Sequence, residues 1–171
     1  VFHDIINMRH ARKAVGAGVD GLIAVGAGAG GHTGQANPFG LINEIKKEFD
    51  VTVVLSGSLS SGGDIAAAQT MGADFAYMGT RFIATKESLS QEDYKKMIVE
   101  SQASDIVLTD TITGVNASFM SQSLNAVGID IESLQDHGDV DINKELSEAR
   151  DSGSNQIRPW RDIWSAGQGV G

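Results

Sequence analysis

The sequence has 171 residues, a length typical of one domain, and it contains no cysteine, which excludes disulfide bonds, thiolate metal sites and a cysteine nucleophile. Thirteen Lys and Arg residues against 22 Asp and Glu residues give a formal net charge of −9, which argues against nucleic acid or an anionic membrane surface as a partner. The 21 glycines and the low aromatic content of 6% favour a fold with many tight corners between strands and helices.

Residues 21–43 form the longest stretch without a formal charge, and this stretch is long enough to cross a bilayer. Its middle, residues 26–35, is made of glycines, alanines and polar residues, which hydrocarbon would not accommodate. No segment resembles a signal peptide. We therefore predict a cytoplasmic protein without membrane association. Because the first residue is Val1 and not Met, we expect a cut or processed N-terminus.

Predicted strands and helices alternate through the first half of the chain. Asp4 and Asn7 offer helix caps, Gly18 is a C-terminal stop, and Pro38 is typical of a first helical turn. Repeated strand–helix units predict parallel strands joined by right-handed crossovers. The predicted strands are 1–3, 21–25, 51–55 and 75–78, and the predicted helices are 8–17, 38–49 and 64–71.

The second half of the chain is less regular. Residues 90–93, with the sequence Ser-Gln-Glu-Asp, predict a capping box that opens a helix ending near residue 101. Residues 106–113 are rich in Thr, Ile and Val and predict a strand. An excess of acidic residues predicts a solvated surface excursion at about 130–158, within a single domain that spans residues 1–171.

A glycine-rich loop at residues 26–31 fits the pattern G-x-G-x-x-G and follows a predicted buried strand. A dinucleotide site of this kind needs its last glycine inside the helix that receives the pyrophosphate, but here the first good helix start, Pro38, lies seven residues beyond Gly31. It also needs an acid at the end of the next strand, where this chain has Leu55 and Ser56. The sequence therefore argues against a Rossmann site.

The same loop surrounds one histidine, His32, with Gly30 and Gly31 before it and Gly34 after it. Small neighbours allow a planar ligand to approach the backbone, and an imidazole can take a proton from a weak carbon acid near neutral pH. A loop histidine bonded to the backbone is the equally simple alternative. The spacing of the other histidines suggests no metal site.

Two further corners follow predicted strands, at residues 56–58 and 78–82. Glycine after a parallel strand exposes backbone N–H groups, and a helix N-terminus adds partial positive charge, so that a phosphate dianion can be held without Lys or Arg. The alternative is that both segments are only tight corners. Their position on adjacent strands, beside the His32 loop, favours a phosphate site.

Four motifs, at residues 30–34, 56–58, 78–82 and 166–169, occur in an order and spacing that resemble the nitronate monooxygenase family, also called 2-nitropropane dioxygenases. The resemblance covers nearly the whole chain and is weakest between residues 105 and 158. It implies an α/β fold of the (β/α)8 TIM-barrel type, of which this chain covers roughly the C-terminal half. The remainder of the barrel, or a homo-oligomer, would then cover the open strand edges.

The resemblance also implies a function, the FMN-dependent oxidation of alkyl nitronates or nitroalkanes by O2 to a carbonyl compound and nitrite. His32 would be the base that removes the α-proton of the nitroalkane, and Gln168 would contact the site. The implied partners are the small-molecule nitronate and O2. Residues implied to hold the FMN phosphate are Gly57, Ser58, Gly79 and Thr80, and residues implied to line the flavin are Gly30, Tyr77 and Met78.

The chain departs from the family pattern at three positions. Ser58 replaces a usual glycine, although its N–H is kept; Val25 stands where members often carry Gln or Asp; and Asp4 stands where some carry Lys. Two alternative functions stay open. One is an FMN-dependent enoyl-acyl-carrier-protein or NAD(P)H:acceptor reductase, which shares a Gly-Gly-His-x-Gly loop. The other is a non-catalytic flavin-binding remnant.

Overall fold

Four parallel strands form the central sheet of the computed structural model, which describes residues 1–135 and 159–171. The strands are β1 (Phe2–Ile5), β2 (Gly21–Val25), β3 (Gly31–His32), β4 (Thr52–Ser56), β5 (Phe75–Tyr77), β6 (Ile106–Thr109) and β7 (Ala117–Met120). The helices are α1 (Met8–Gly16), α2 (Pro38–Glu48), α3 (Gly62–Thr70), α4 (Thr80–Ile83), α5 (Glu92–Glu100), α6 (Ser121–Ala126), α7 (Ile131–Gln135) and α8 (Pro159–Asp162). A 3₁₀ turn spans Ala103–Asp105.

The strand order in the central sheet is β1-β2-β4-β5, and every neighbouring pair is parallel. Each strand thus lies beside the previous one of this sheet, and the order never reverses. A doubly wound sheet would reverse at a switch point, whereas a barrel progresses in one direction. The predicted α/β fold with parallel strands is confirmed.

Local signals in the sequence begin the first three helices. Asn7 caps α1 by accepting a 2.9 Å hydrogen bond from the His10 amide, and Asn37 caps α2 at Pro38. Ser61 and Asp64 form a capping box on α3. Asp4, which the sequence offered as a cap, lies instead within β1.

The helices cover one face of the central sheet. Leu22, Val53 and Leu55 are fully buried and belong to one apolar cluster with Ile42 and Ile45 of α2. Because side chains alternate along a strand, the residues between them point to the opposite face. The first hydrophobic core therefore lies between the sheet and its helices.

The opposite face of the central sheet is mainly apolar, with Asp4 and Ser56 as polar members, and it is only partly covered. Phe75 is 61% exposed and Tyr77 is 58% exposed, while Ile23 and Val54 are half-buried. Phe2 of β1 lies over Gly21, where an added Cβ would come within 2.5 Å of the ring. Inward-facing residues of a barrel form an apolar face of this kind.

A second sheet is antiparallel, with the order β3-β7-β6. The strand predicted over residues 106–113 was too long, because β6 ends at Thr109 and a turn closed by a 2.7 Å bond from the Gly114 amide to the Asp110 carbonyl follows. Strand β7, which the sequence did not predict, is fully buried. Its pairing with β3 places His32 opposite Ala117.

The capping box predicted at residues 90–93 is wrong. Helix α5 begins at Glu92 after Gln91, and no side chain caps it. The Ser90 hydroxyl and amide are instead bonded to the hydroxyl of Ser88. Of the acidic excursion predicted at about 130–158, only its first residues fall within the described part; 136–158 lie outside it. Within the described ranges, no helix has the length and apolar character needed to cross a bilayer.

Candidate active site

A cavity of about 240 Å³ lies at the carboxyl ends of β4 and β5. The two strands pair in parallel with Ser56 opposite Tyr77, so the corner that follows each strand opens into the same space. The wall is completed by the glycine-rich loop after β2 and by residues 165–169, which we call the C-terminal segment. The lining residues are Gly28, Ala29, Gly30, Ser56, Gly57, Ser58, Leu59, Tyr77, Met78, Gly79, Thr80, Ile83, Ser165, Gly167 and Gly169.

All the residues that the resemblance assigned to the cofactor line this single cavity. They are Gly30, Gly57, Ser58, Tyr77, Met78, Gly79 and Thr80. The wall also contains residues that the sequence argument did not assign to the site, such as Gly28, Ser165 and Ile83. The motif at residues 166–169 was the signal for the C-terminal segment, although it singled out Gln168 and not Gly167 or Gly169.

Glycines let the loop after β2 and the C-terminal segment approach each other closely. An added Cβ at Gly30 would lie 2.7 Å from the Gly167 amide nitrogen, and one at Gly167 would lie 2.5 Å from the Gly28 carbonyl oxygen. The Gly28 carbonyl also accepts a 2.8 Å hydrogen bond from the Gln168 amide. This part of the wall is therefore backbone packed against backbone.

Ser58 has a positive φ of 55°, a backbone conformation that favours glycine. Its amide donates to the Gly28 carbonyl at 3.3 Å, and its hydroxyl donates to the Ala27 carbonyl at 3.2 Å. Both donors are thus directed at the loop after β2. The extra hydroxyl of this chain ties the two loops together.

Thr80 begins α4 directly after the β5 corner, and it is buried. Its Oγ1 accepts a 2.9 Å hydrogen bond from the Gly167 amide, which leaves the hydroxyl proton available for another acceptor. The C-terminal segment is held a second time where the Tyr94 hydroxyl donates to the Ser165 carbonyl. Burial raises the pKa of Tyr94, so this hydroxyl stays protonated as a donor.

The cavity wall carries no charged side chain among the residues that the structure describes. The N-terminus of α3, expected to help hold an anion, already has a carboxylate: Asp64 accepts bonds from the Ser60 and Ser61 amides at 2.9 and 2.8 Å. These hydrogen bonds, together with that from the Ser61 hydroxyl, hold the pKa of Asp64 below its ordinary value. An anion in the cavity would therefore meet backbone N–H groups and hydroxyls.

His32 is exposed and lies on β3, outside the lining of the cavity but two positions along the chain from Gly30, which lines it. Asp4 and Val25 both lie on the uncovered face of the central sheet, Asp4 opposite Ile23 and Val25 opposite Ser56. In the described parts of the chain, no three His, Asp or Glu side chains converge as a metal site would require.

The arrangement can be compared with known proteins. The sequence model of the family described as "Nitronate monooxygenase" matches residues 2–128. The chain belongs to the nitronate monooxygenase family. Its sequence is 34% identical over 133 residues to a nitronate monooxygenase of Paraburkholderia phytofirmans, a match that covers 72% of this chain and 36% of that protein.

Two solved structures resemble the fold of this family member. FabK from Thermotoga maritima matches with a TM-score of 0.78 and 26% identity, over 99% of this chain and 53% of that one. A nitroalkane oxidase from Streptomyces ansochromogenes matches with a TM-score of 0.68 and 26% identity, over 98% of this chain and 51% of that one. The chain therefore spans about half of these structures.

These matches confirm the predicted family and TIM-barrel fold, of which this chain supplies about half. The family is one of oxidoreductases, as the names of its members state. The half-barrel also gives a physical reason for the apolar sheet face at Phe75 and Tyr77: in a closed barrel, this face points inward.

Proposed function

We propose that this chain forms part of an FMN-dependent enzyme that oxidises alkyl nitronates or nitroalkanes with O2 to a carbonyl compound and nitrite. The observation that carries the proposal is the convergence of all seven expected cofactor residues on one uncharged, glycine-rich cavity. Membership of the nitronate monooxygenase family supports the reaction. The activity belongs to the full-length protein, because the chain spans only about half of the structures that it resembles.

The cavity fits the phosphate end of FMN. The amides of Gly57 and Gly79 and the hydroxyl of Thr80 would hold the phosphate, because no charged side chain lines the described wall. Ser58, whose amide and hydroxyl both donate to the loop after β2, would line the phosphate site and hold its corner in place. Its volume of about 240 Å³ is below the roughly 300–1,000 Å³ of most ligand pockets. Ser56 and Tyr77 line it from the uncovered sheet face, so the rest of the barrel would extend it there. When bound, FMN would carry electrons from the nitronate to O2.

His32 would accept the α-proton of a nitroalkane at an imidazole nitrogen. An imidazole is the side chain most often used as a general base in enzymes. Exposure of His32 leaves it accessible to a substrate, and the chain reaches it two residues after Gly30, which lines the cavity. Proton removal converts the nitroalkane into the nitronate, which is the form that is oxidised.

Two substrates separate the role of His32 from the rest of the reaction. A nitroalkane needs a base, whereas a preformed nitronate has already lost its proton. We expect His32→Ala in the full-length protein to lower nitroalkane turnover by about 10²–10⁴-fold, with much smaller loss on the nitronate. Nitrite release and O2 consumption measure both rates, and His10→Ala, at a half-buried position of α1 outside the cavity lining, is the control. Equal losses on the two substrates would contradict the base assignment.

The alternative functions predict different outcomes in the same preparation. A flavin-dependent enoyl-acyl-carrier-protein or NAD(P)H:acceptor reductase would consume NADH with an enoyl thioester or another acceptor and release no nitrite from nitronates. A non-catalytic remnant would show the visible absorption of bound flavin without turnover of either substrate. Flavin absorption that is absent altogether would remove the cofactor assignment.

A further inference from the structure

Thr33, next to His32, lies where the segment of residues 26–34, which contains the glycine-rich loop, returns to its starting point. Its side chain is only 4% exposed, and its Oγ1 lies 3.1 Å from the Gly26 carbonyl oxygen and 3.1 Å from the Gly34 carbonyl oxygen. The two carbonyls share the single hydroxyl proton, so the hydroxyl ties the end of the loop to Gly26, the residue that follows β2, and to Gly34. A second bond joins the Ala27 amide to the Ala36 carbonyl at 2.9 Å.

Gly26 and Thr33, the two residues that the hydroxyl hydrogen bond joins, are each bonded to a neighbouring part of the fold. The Gly26 amide donates to the Ser56 carbonyl of β4 at 2.9 Å, and the Thr33 amide donates to the Asn116 carbonyl, just before β7, at 3.1 Å. The Thr33 hydroxyl therefore links the central sheet to the antiparallel sheet. Its position is determined by backbone partners on both sides.

Consecutive residues of an extended segment point to opposite sides. Thr33 is directed inward, and its neighbour His32 is exposed on the other side. The same loop carries Gly28 and Gly30 in the cavity wall. The bond from Thr33 to Gly26 thus sets the relation between the segment that lines the cavity and the segment that carries the histidine.

We propose that Thr33 is a positioning residue for His32: its hydroxyl bond to the Gly26 carbonyl holds the histidine in register with the cavity. The catalytic role of His32 in this proposal rests on the proposed function. The hydrogen bonds of Thr33 do not depend on it. A purely structural hydroxyl would affect only the stability of the protein and would leave the His32 ring and kcat of the folded variant unchanged. A positioning role requires that both change when the hydroxyl is lost.

The test uses variants of the full-length protein that differ in this hydroxyl. Thr33→Val keeps the shape and loses the donor, and Thr33→Ser keeps the donor. Thr70→Val is the matched control, because Thr70 is exposed at the end of α3 and its hydroxyl likewise donates to a backbone carbonyl, that of Ala66, at 2.8 Å. Turnover of a nitroalkane is measured for each, together with the ¹⁵N signals of His32 in histidine-labelled protein, assigned by their loss in His32→Ala.

We expect Thr33→Val to lower kcat for the nitroalkane by about 10²-fold, because small displacements of a catalytic group cost rates of this order. KM should change by less than about threefold, and the His32 signals should move. Thr33→Ser and Thr70→Val should keep wild-type kcat and wild-type signals. A Thr33→Val variant with unchanged kcat and unchanged His32 signals overturns the proposal.

The two proposals fail in different ways. If the wild-type protein turns over no nitroalkane, the proposed function is wrong, while the His32 signals still decide whether Thr33 orients the ring. If turnover is present and Thr33→Val is indistinguishable from wild type, only the positioning role is wrong. Should Thr33→Val fail to fold, Thr33→Ala and Thr33→Ser differ only in the hydroxyl; equal kcat and equal spectra in that pair contradict the proposal.

Discussion

The Gly167 amide donates a 2.9 Å hydrogen bond to Oγ1 of Thr80, although the two residues are 87 positions apart in the chain. The bond joins the corner after β5 to the C-terminal segment, and both line the cavity. Because the Thr80 oxygen is already an acceptor here, its remaining contribution to a bound anion is the hydroxyl proton. One side chain thus both builds the wall and presents a donor.

Replacing Thr80 with valine should weaken both the fold and the cavity. The Gly167 amide would be buried without its acceptor, which costs about 1–3 kcal/mol of unfolding free energy. We expect weaker FMN binding in fluorescence titrations and a lower midpoint in urea unfolding. Thr80→Ser should preserve both, and Thr85→Val, which removes an exposed hydroxyl that donates to the Phe82 carbonyl, should change little. Equal midpoints for Thr80→Val and Thr85→Val would contradict this view.

Two Gly→Ala substitutions should have opposite effects on stability. Gly28 has a φ of 83°, and an added Cβ would lie 2.0 Å from the Ser58 Oγ. We expect Gly28→Ala to lower the unfolding free energy by about 1–2 kcal/mol from the backbone conformation alone. Gly40 lies on the exposed surface of α2 with nothing within 4 Å of an added Cβ, so Gly40→Ala should raise it by about 0.5–1 kcal/mol. Urea unfolding of both variants measures the change in unfolding free energy, which should be negative for Gly28→Ala and positive for Gly40→Ala.

Ser58→Gly should partly rescue Gly28→Ala, because it removes the hydroxyl that the new Cβ would meet. The single Ser58→Gly variant trades the hydrogen bond to Ala27 for relief of its positive φ, so we expect a net change below about 1 kcal/mol. The double variant should therefore be more stable than Gly28→Ala alone, with a coupling energy of about 0.5–3 kcal/mol in a double-mutant cycle. If the effects of Gly28→Ala and Ser58→Gly on the unfolding free energy are strictly additive, the loop has shifted and the new Cβ does not contact the Ser58 hydroxyl.

Much of the parallel sheet could be predicted because its signals are local. The uncharged runs that form β2 and β4 and the caps at Asn7 and Pro38 need no knowledge of distant residues. Strand β3 has two residues and no periodicity of its own, and it exists because β7 pairs with it. The antiparallel sheet was therefore missed, since its partners are far apart in sequence.

The site shows the same division between local and distant information. Glycine corners after β4 and β5 are visible in the sequence because parallel strands end at one edge of a sheet. The motif at residues 166–169 indicated that the C-terminal segment belongs to the site, but the packing of Gly167 against Gly28 could not be predicted, because the two residues are far apart in the chain. The occupation of the α3 N-terminus by Asp64 also needed coordinates, since the same residue could have been an ordinary surface acid.

Asp64 gives the protein a pH dependence with a definite sign. Hydrogen bonds, above all from the Ser60 amide, lower the pKa of its carboxyl in the folded state, while an unfolded Asp has a pKa of about 3.9. Its stabilising effect is therefore complete above the unfolded pKa and is lost as the pH falls through the lower folded pKa. We expect Asp64→Asn to flatten the acid limb of the unfolding free energy, measured by urea unfolding at a series of pH values below about 5. An acid limb as steep as that of the wild type would mean that the pKa of Asp64 does not change on folding.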